Sequence, residues 1–416
     1  MTTMAKNGVW FGLIVIFAMA LPAVGQDSKA PVLVVASKTV DMQVSVDLPK
    51  TFKTDDTTSW QLVELGGDEK SFPVDLVPAV KEDGTPDAKR QRVVATIPGT
   101  AKASKDQRRF ELRPAEAKAK KNFKLVELSP ASVEIRQSDR PVFVYNHDTI
   151  TNEKVPKKDR RRRRACYVHP IYGLDGEVLT DDFPRDHYHH HGLFWAWPHV
   201  QIDGKVYDLW TGKGIQLRPV RPLGRYAGDH EATIGYENGW FVGKRKVMTE
   251  RVWLTAHKAN DTARAIDVAV TWTPVDRPIT LWGADRKSYG GMTLRFAVPR
   301  KKKGSITVPK GVTKRDLAVK RLKWVDLVYP FGGEGSTPSG ATLMVSKTHP
   351  DYPPTWLTRH YGPQCVGYPG VEQKEFEPGK PFTLKYRVWV HKGPGNLETF
   401  KKAYDAYAAG EEVHWE

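Results

Sequence analysis

KRKVMTERVWLTAH at residues 244–257 and RAIDVAVTWTPV at residues 264–275 are the two stretches that decide the fold of this chain. In each of them polar and apolar side chains alternate, and β-branched and aromatic residues are frequent. A period of two is typical of strands whose sheet has one buried face, because successive side chains point to opposite sides. We therefore expect both stretches to be strands of an all-β domain.

Five later or flanking runs have the same strand-like composition: QIDGKVYDLW (201–210), MTLRFAVP (292–299), WVDLVYP (324–330), ATLMVSK (341–347) and FTLKYRVWVHK (382–392). In the first of them, Asp203 and Gly204 form a dipeptide that is typical of hairpin turns. No helical period separates the runs, so we expect a large antiparallel β-sandwich over residues 141–416. One C-terminal helix is also expected, from an apolar stripe at helical spacing that would pack against the sheets: Leu397, Phe400, Tyr404 and Tyr407.

The first part of the chain contains two segments of different character. Residues 1–25 begin with a positive charge, continue with an apolar run and end in small residues, which is typical of a signal peptide. We expect export to the periplasm or the exterior, and no membrane span in the mature chain, because no later run is long and apolar enough. Residues 26–140 consist of short alternating segments broken by Gly, Pro and Asp, which predicts a small β-sandwich with an accessory role.

The chain has 416 residues and a formal charge of +16, and its basic residues cluster. KVPKKDRRRRRA at residues 154–165 carries too many charges to be buried without partners, so we expect an exposed loop. The loop is either simply solvated or a docking site for sulfated or carboxylated glycans. Because export disfavours nucleic acid, the expected partner is a carbohydrate or an anionic polysaccharide. Export would also allow Cys166 and Cys365 to form a disulfide.

The chemically densest segment is DDFPRDHYHHHGLFWAWP at residues 181–198. On an extended strand, His187, His189 and His191 would share one face, and three imidazoles can hold a divalent metal. Alternatively, an imidazole next to Asp186 can transfer protons near neutral pH. A third alternative is structural packing near a turn. We expect at least one of these histidines to be functional and at least one to be structural.

A second polar segment, KTHPDYPPTWLTRHYGPQCVGYPG, lies at residues 347–370. Its proline and glycine content predicts a long structured loop, where functional residues are frequent. Arg359 could bind a carboxylate or a diol, and Tyr361 could exchange a proton. We expect both to share a cavity with the histidine segment, walled by Trp195 and Trp210 as flat faces for sugar rings.

Three motifs give the chain a resemblance to a family of exported bacterial proteins that carry the automatic label methane oxygenase PmoA: YVHPIYGLDGEVLTDDFPRDHYHHHGLFWAW, GKVYDLW and THPDYPPTWLTRHYG. The resemblance covers residues 141–410, and the family pattern D-H-x-H-H-[RK]-[GS]-L has His191 here at its basic position. It implies a β-sandwich of the galactose mutarotase and polysaccharide lyase type, associated with carbohydrate degradation. The methane label would require an integral membrane protein, and no segment after residue 25 could span a bilayer.

Three functional classes remain open from the sequence. The first is a carbohydrate-active enzyme of mutarotase, lyase or hydrolase type, with these catalytic residues: Asp186, His187, His190 and Tyr361. Its substrate-binding residues would be the following: His189, Trp195, Trp210, His349 and Arg359. A lyase or hydrolase would also recruit a carboxylate from this set: Asp181, Asp182 or Asp351.

The second class is a non-catalytic polysaccharide-binding protein of the cell envelope. The third is a metalloprotein with a divalent metal at the histidine segment and His349 or His360 as a further ligand; otherwise we expect no cofactor.

Overall fold

The computed structural model describes residues 30–54, 59–66, 69–102, 104, 106–115, 121–298, 304–333 and 335–416. The predicted signal peptide lies outside these residues. Within them the chain is mostly β, with several antiparallel sheets and a single α-helix near the C-terminus, which confirms a sandwich-like all-β fold. No helix in the described ranges is both long and apolar enough to cross a membrane.

The N-terminal strands form a sheet of their own. In chain order they are β1 (Val32–Ala36), β2 (Met42–Asp47), β3 (Ser59–Glu64), β4 (Ser71–Val80), β5 (Pro86–Ile97) and β6 (Gln107–Ala115). They are ordered β2-β5-β4-β3-β6-β1, and β4 changes partner along its length, from β3 up to Val74 to β5 after it. The strands that pair before and after this change of partner share one apolar core, which includes Trp60 and Phe110.

The following strands build the rest of the chain: β7 (Phe123–Ser129), β8 (Ser132–Gln137), β9 (Arg140–Asn146), β10 (Ile150–Thr151), β11 (Arg163–Arg164), β12 (Tyr167–Ile171), β13 (Leu193–Ala196), β14 (His199–Ile202), β15 (Lys205–Tyr207), β16 (Gln216–Ala227), β17 (Glu231–Val242), β18 (Arg245–His257), β19 (Ala263–Pro274), β20 (Ile279–Trp282), β21 (Gly291–Arg295), β22 (Ser305–Val308), β23 (Gly311–Thr313), β24 (Leu317–Arg321), β25 (Trp324–Tyr329), β26 (Ser339–Val345), β27 (Thr355–Thr358), β28 (Pro363–Gly367), β29 (Lys374–Phe376), β30 (Phe382–Lys392) and β31 (His414–Trp415).

Two nine-stranded sheets face each other in the larger part of the molecule. One has the order β24-β27-β28-β21-β13-β12-β9-β8-β7, and the other has the order β16-β17-β18-β19-β30-β26-β25-β22-β23. The two stretches that predicted the fold are β18 and β19, which pair with each other in the second sheet. Apolar side chains of both sheets form one core, which among the described residues includes five fully buried indoles: Trp195, Trp197, Trp240, Trp272 and Trp356. A four-stranded sheet, β15-β14-β20-β29, and the pair β10-β11 lie outside these two sheets.

The predicted helix is present as α1 (Leu397–Gly410), and three residues of its apolar stripe, Phe400, Tyr404 and Tyr407, are buried, while Leu397 is partly buried. Phe400 packs near Trp324 of the second large sheet. Ala406 and Ala409 belong instead to the N-terminal core, and β31 after the helix pairs with β1. The C-terminal segment therefore connects the N-terminal strands to the large sandwich.

Two further sequence predictions can be located in the structure. The hairpin at Asp203 and Gly204 connects β14 and β15, and both residues have positive φ angles, 50° and 74°. The predicted domain boundary at residue 140 falls at the start of β9. Because β7 and β8 pair with β9 in the first large sheet, that sheet includes residues on both sides of the boundary.

Candidate functional site

The histidine segment connects β12 to β13 as a loop with two successive turns. The backbone N–H of His187 donates to the carbonyl of Pro184 at 2.9 Å, and that of His190 donates to the carbonyl of His187 at 2.9 Å. The expectation of an extended strand with His187, His189 and His191 on one face is therefore wrong. The turns bring His187 and His190 against each other and give His191 different partners.

Three neighbouring strands of the first large sheet bring the site together. Antiparallel pairing places the start of β13, the end of β21 and the start of β28 at the same end of the sheet. The histidine loop precedes β13, Arg295 ends β21, and Tyr361 lies in the turn before β28. Gly362 completes this turn with a φ of 128°, and a Cβ there would lie 2.6 Å from the carbonyl oxygen of Phe296. Only glycine fits this position without strain.

The imidazole rings form a stack that reaches solvent at His187. The ring of His187 lies nearly parallel to His190, with centroids 4.6 Å apart, and to Tyr361, with centroids 5.6 Å apart. His189 meets His187 and His190 edge-on, at 5.5 Å and 4.8 Å. The side chain of His187 is 37% exposed and Tyr361 is 41% exposed, whereas His190 is buried. His187 and Tyr361 are thus the most exposed members of the stack, and His189 is partly exposed.

Asp186 and Arg295 supply the charges beside the stack. Nδ1 of His187 lies 3.0 Å from Oδ2 of Asp186, but without the geometry of a hydrogen bond, so this nitrogen has no hydrogen-bond partner among the described residues. Nη2 of Arg295 donates to both carboxylate oxygens of Asp186, at 3.2 Å and 3.3 Å, and the guanidinium carbon lies 5.0 Å from the ring centroid of Tyr361. Arg295 is buried, and its Nε and Nη1 have no hydrogen-bond partner among the described residues. Such groups are rare in folded proteins because they cost free energy, so they indicate a role beyond packing.

Burial controls the protonation of this stack. It lowers the pKa of His189 to about 4 and lowers the pKa of His190 further, and neighbouring imidazoles add to both effects. Both rings are therefore neutral at neutral pH. Burial also raises the pKa of Tyr361, so its phenol keeps its proton. Burial alone would raise the pKa of Asp186, but His187 and Arg295 outweigh it and hold that pKa below its usual value, so the carboxylate is ionised.

His191 belongs to a separate, buried hydrogen-bond chain. Its Nδ1 lies 2.7 Å from Oδ1 of Asp182, and Oδ2 of Asp182 accepts a hydrogen bond from the hydroxyl of Tyr167 at 2.8 Å. Burial raises the pKa of Asp182 to about 6. Burial, with the charge of Arg164, holds the pKa of His191 well below its usual value. These contacts fix the end of the histidine loop against β12.

A cavity of about 740 Å³ adjoins the stack. His189 and Trp210 line one part of it, and the predicted basic loop lines another part with a run of cations: Lys157, Lys158, Arg160, Arg161, Arg162, Arg163 and Arg164. The loop is exposed over most of its length, but Arg164 is buried, contrary to the prediction. The guanidinium of Arg164 donates to the backbone carbonyls of Leu209 and Trp195, both at 3.2 Å, which partly compensates its burial.

The other predicted binding residues have different surroundings. Trp195 is fully buried, so its rings offer no face to a ligand; Trp210 lines the cavity, but it too is buried, with 5% of its surface exposed. His349 is buried in edge-on contact with Tyr368. Arg359 donates to the backbone carbonyl of Leu317.

His360 and Asp351 are also engaged away from the stack. Nδ1 of His360 lies 2.7 Å from Asp316, and Asp351 forms an ion pair with Arg321. Within the described part of the chain, Tyr361 is thus the residue of the downstream segment that contacts the histidine stack. The guanidinium beside Tyr361 belongs to Arg295. The sequence had suggested Arg359 for this position.

The described residues contain no group of three or more His, Cys, Asp or Glu side chains arranged to hold a metal ion. The ring packing gives a reason, because nitrogen lone pairs lie in the ring plane and those of stacked rings run parallel instead of converging. Cys166 and Cys365 are both buried and free, so the disulfide that export would allow is not formed.

Arg295 was missed in the sequence, and Arg164 was predicted only as part of an exposed basic loop. Arg295 interrupts the apolar run MTLRFAVP, and a charged residue inside a buried strand is rare enough to be a signal. Arg164 is the last arginine of the basic run and lies in β11. The sequence offered no sign that it differs from the arginines before it.

A protein-family model matches residues 132–405, which is well over half of the chain, and its description is "Family of unknown function (DUF6807)". The match does not confirm the PmoA label that the sequence motifs suggested. A search of curated proteins finds no match.

Proposed function

Since the chain belongs to DUF6807, a family without an assigned activity, we propose from the site itself that the protein is a carbohydrate-active enzyme. In this proposal His187 exchanges a proton with a sugar hydroxyl, Asp186 orients its ring, and Tyr361 donates a hydrogen bond to a second sugar oxygen. The observation that carries the proposal is the close approach of His187 Nδ1 to Asp186 Oδ2, at 3.0 Å but without the geometry of a hydrogen bond, in an imidazole that is 37% exposed and stacked on Tyr361.

The chemistry follows from the ionisation of these groups. An ionised carboxylate next to an imidazole fixes its tautomer and stabilises the imidazolium that forms when the ring accepts a proton. Asp186 is ionised for the reasons given above, and Arg295 holds it in place. Tyr361 keeps its proton and can therefore act as a donor to an oxygen that develops negative charge.

The surroundings support a sugar as the substrate. Trp210 lines the adjoining cavity but is only 5% exposed, so it offers a sugar ring a small apolar contact and not a full stacking face. The volume of about 740 Å³ lies within the range of small-molecule sites. His189 lines the cavity and contacts His187, whereas His187 and Tyr361 do not line it, so a substrate would have to extend past His189 to meet the exposed end of the stack.

The test compares the wild type with His187→Gln and Asp186→Asn on a panel of neutral and acidic glycans. Three readouts separate the reaction types: polarimetry detects anomer interconversion, new reducing ends detect hydrolysis, and ultraviolet absorbance detects the unsaturated product of elimination. We expect the wild type to act on at least one glycan and His187→Gln to lose about a hundredfold or more in turnover, with little change in affinity. His414→Gln, at an exposed histidine in β31, is the matched control.

A non-catalytic glycan-binding protein is the second candidate, and the cationic wall of the cavity favours it. In that case the wild type would bind a glycan and leave it unchanged in all three readouts. Replacing His187 would then alter no reaction, and the enzymatic proposal would be rejected.

A further inference from the structure

We propose that the cavity beside the histidine stack binds an anionic glycan, through carboxylate or sulfate groups held by the basic loop. As the substrate class of the same site, this inference rests on the proposed function, but as a binding property it can be tested separately. It assigns the loop the role of a ligand-binding wall instead of a solvated surface.

The charge of the cavity is strongly unbalanced. Eight cationic side chains line it, the seven of the basic loop and Arg218, against two carboxylates, Asp148 and Asp159. Asp159 is already paired with Arg161, at 2.9 Å between Nε and Oδ1. A cleft in which one sign of charge predominates concentrates ligands of the opposite sign.

Several of these cations are held in fixed positions. Arg160 donates from Nε to the carbonyl oxygen of Thr211 at 3.2 Å and from Nη2 to its hydroxyl at 3.1 Å. Arg161 is held by Asp159 and lies with its guanidinium carbon 5.5 Å from the ring centroid of Tyr188. Such contacts reduce the entropy that is lost when the side chains bind a ligand.

Other cations are free to contact a ligand. Lys157, Lys158 and Arg163 are exposed, and their side chains form no ion pair or hydrogen bond with the described residues. They are part of the wall of the cavity. They can therefore bind an anion without breaking an existing contact.

Arg164 provides an independent argument. Its side chain is buried, its Nε has no hydrogen-bond partner among the described residues, and it forms no ion pair there. Burial of a guanidinium without a carboxylate partner is unfavourable. Because Arg164 lines the cavity, an anionic group bound there would offset that cost.

The cavity fits an anionic glycan better than a nucleic acid. Proteins that bind single-stranded nucleic acids generally provide several aromatic rings along a groove, on which successive bases stack. Here the residues that line the cavity include one aromatic indole, Trp210, beside the imidazoles of His189 and His191. An array of guanidinium and ammonium groups suits an acidic sugar, whose charged substituents can form ion pairs and hydrogen bonds with these groups.

The experiment uses the full chain and the triple variant K157A/K158A/R163A. Binding of four probes is measured by isothermal titration calorimetry: polygalacturonate for carboxylated glycans, heparin for sulfated glycans, dextran for neutral glycans and single-stranded DNA for a polyanion of another class. The matched control is K244A/K310A/K401A, which removes the same charge from exposed positions outside the cavity lining.

We expect the wild type to bind polygalacturonate or heparin and not dextran, and the triple variant to bind about tenfold more weakly, while the control remains unchanged. Equal weakening in the control, equal binding of dextran, or tighter binding of DNA than of both acidic glycans would overturn the inference. Binding of an acidic glycan without turnover would reject the proposed enzyme and leave this inference intact. Turnover of a neutral sugar that depends on His187 and not on the loop would support the proposed enzyme and reject this inference.

Discussion

A guanidinium that is buried with two nitrogen atoms unpartnered lowers the stability of its own fold. Arg295 is in this position, since its Nε and Nη1 have no partner among the described residues and only Nη2 reaches Asp186. Asp186 is half exposed, so water can solvate it when Arg295 is absent. Arg295 therefore depends on Asp186 for its stability in the buried position more than Asp186 depends on Arg295.

This asymmetry predicts opposite effects of two substitutions. Arg295→Met should leave the free energy of unfolding unchanged or raise it by about 1 kcal/mol, because an apolar chain of similar length fits the buried strand position. Asp186→Asn should lower it by about 1–3 kcal/mol, because the buried Arg295 loses its nearer carboxylate and keeps only Asp181, whose Oδ2 lies 3.9 Å from Nη2. Urea unfolding of the three proteins measures both effects. A larger loss in Arg295→Met than in Asp186→Asn would show that Arg295 serves folding and not the site.

The sequence identified part of the site and missed the rest for a clear reason. Asp186, His187 and His190 are neighbours in the chain, so their density alone indicated chemistry. Arg295 and Tyr361 reach the same place only through the pairing of β21 with β13 and β28. The register of pairing between distant strands cannot be predicted from local composition. The sequence therefore could not show that Tyr361 reaches the histidine stack and Arg359 does not.

At the level of elements, strands were predictable where burial imposes a period. Residues 244–257 and 264–275 alternate because one face of β18 and β19 packs into the core, and the structure confirms both strands. The histidine loop has no such constraint. Its shape depends on hydrogen bonds within the turns, in which the N–H of His187 meets the carbonyl of Pro184. Alternating histidines were therefore a poor guide to which rings share a face.

The helix α1 offers a test of one element. Oδ1 of Asn396 accepts a hydrogen bond from the backbone N–H of Thr399 at 2.9 Å, which caps the first turn. Asn396→Ala should lower the free energy of unfolding by about 1 kcal/mol, because this N–H loses its partner. Asn396→Asp keeps an acceptor at the same place and should retain the wild-type value. Equal values for both variants in denaturant unfolding would show that the cap does not contribute to global stability.

For the whole molecule, a notable property is the number of imidazoles kept neutral by burial. Burial is the largest cause of a lowered pKa in seven histidines: His147, His169, His189, His190, His191, His230 and His349. In the unfolded chain each would accept a proton as the pH falls through about 6.5. The unfolded state then binds more protons than the folded state, so each of these groups removes stability on acidification. Buried carboxyls with raised pKa, such as Asp182, act in the opposite direction below about pH 6.

His349 allows one of these contributions to be isolated, because it lies outside the histidine stack, in edge-on contact with Tyr368. Burial lowers its pKa to about 4, with Asp351 and Lys374 as the charges that act on it. Between its unfolded pKa of about 6.5 and pH 4, the wild type should lose at most about 3 kcal/mol that His349→Asn does not lose. The difference between the two unfolding free energies, measured in urea across this range, should therefore shift in favour of the variant as the pH falls. His414→Asn, which removes an exposed imidazole, is the matched control. A difference that stays constant with pH would mean that water reaches His349 in the folded protein, and that its burial does not keep it neutral.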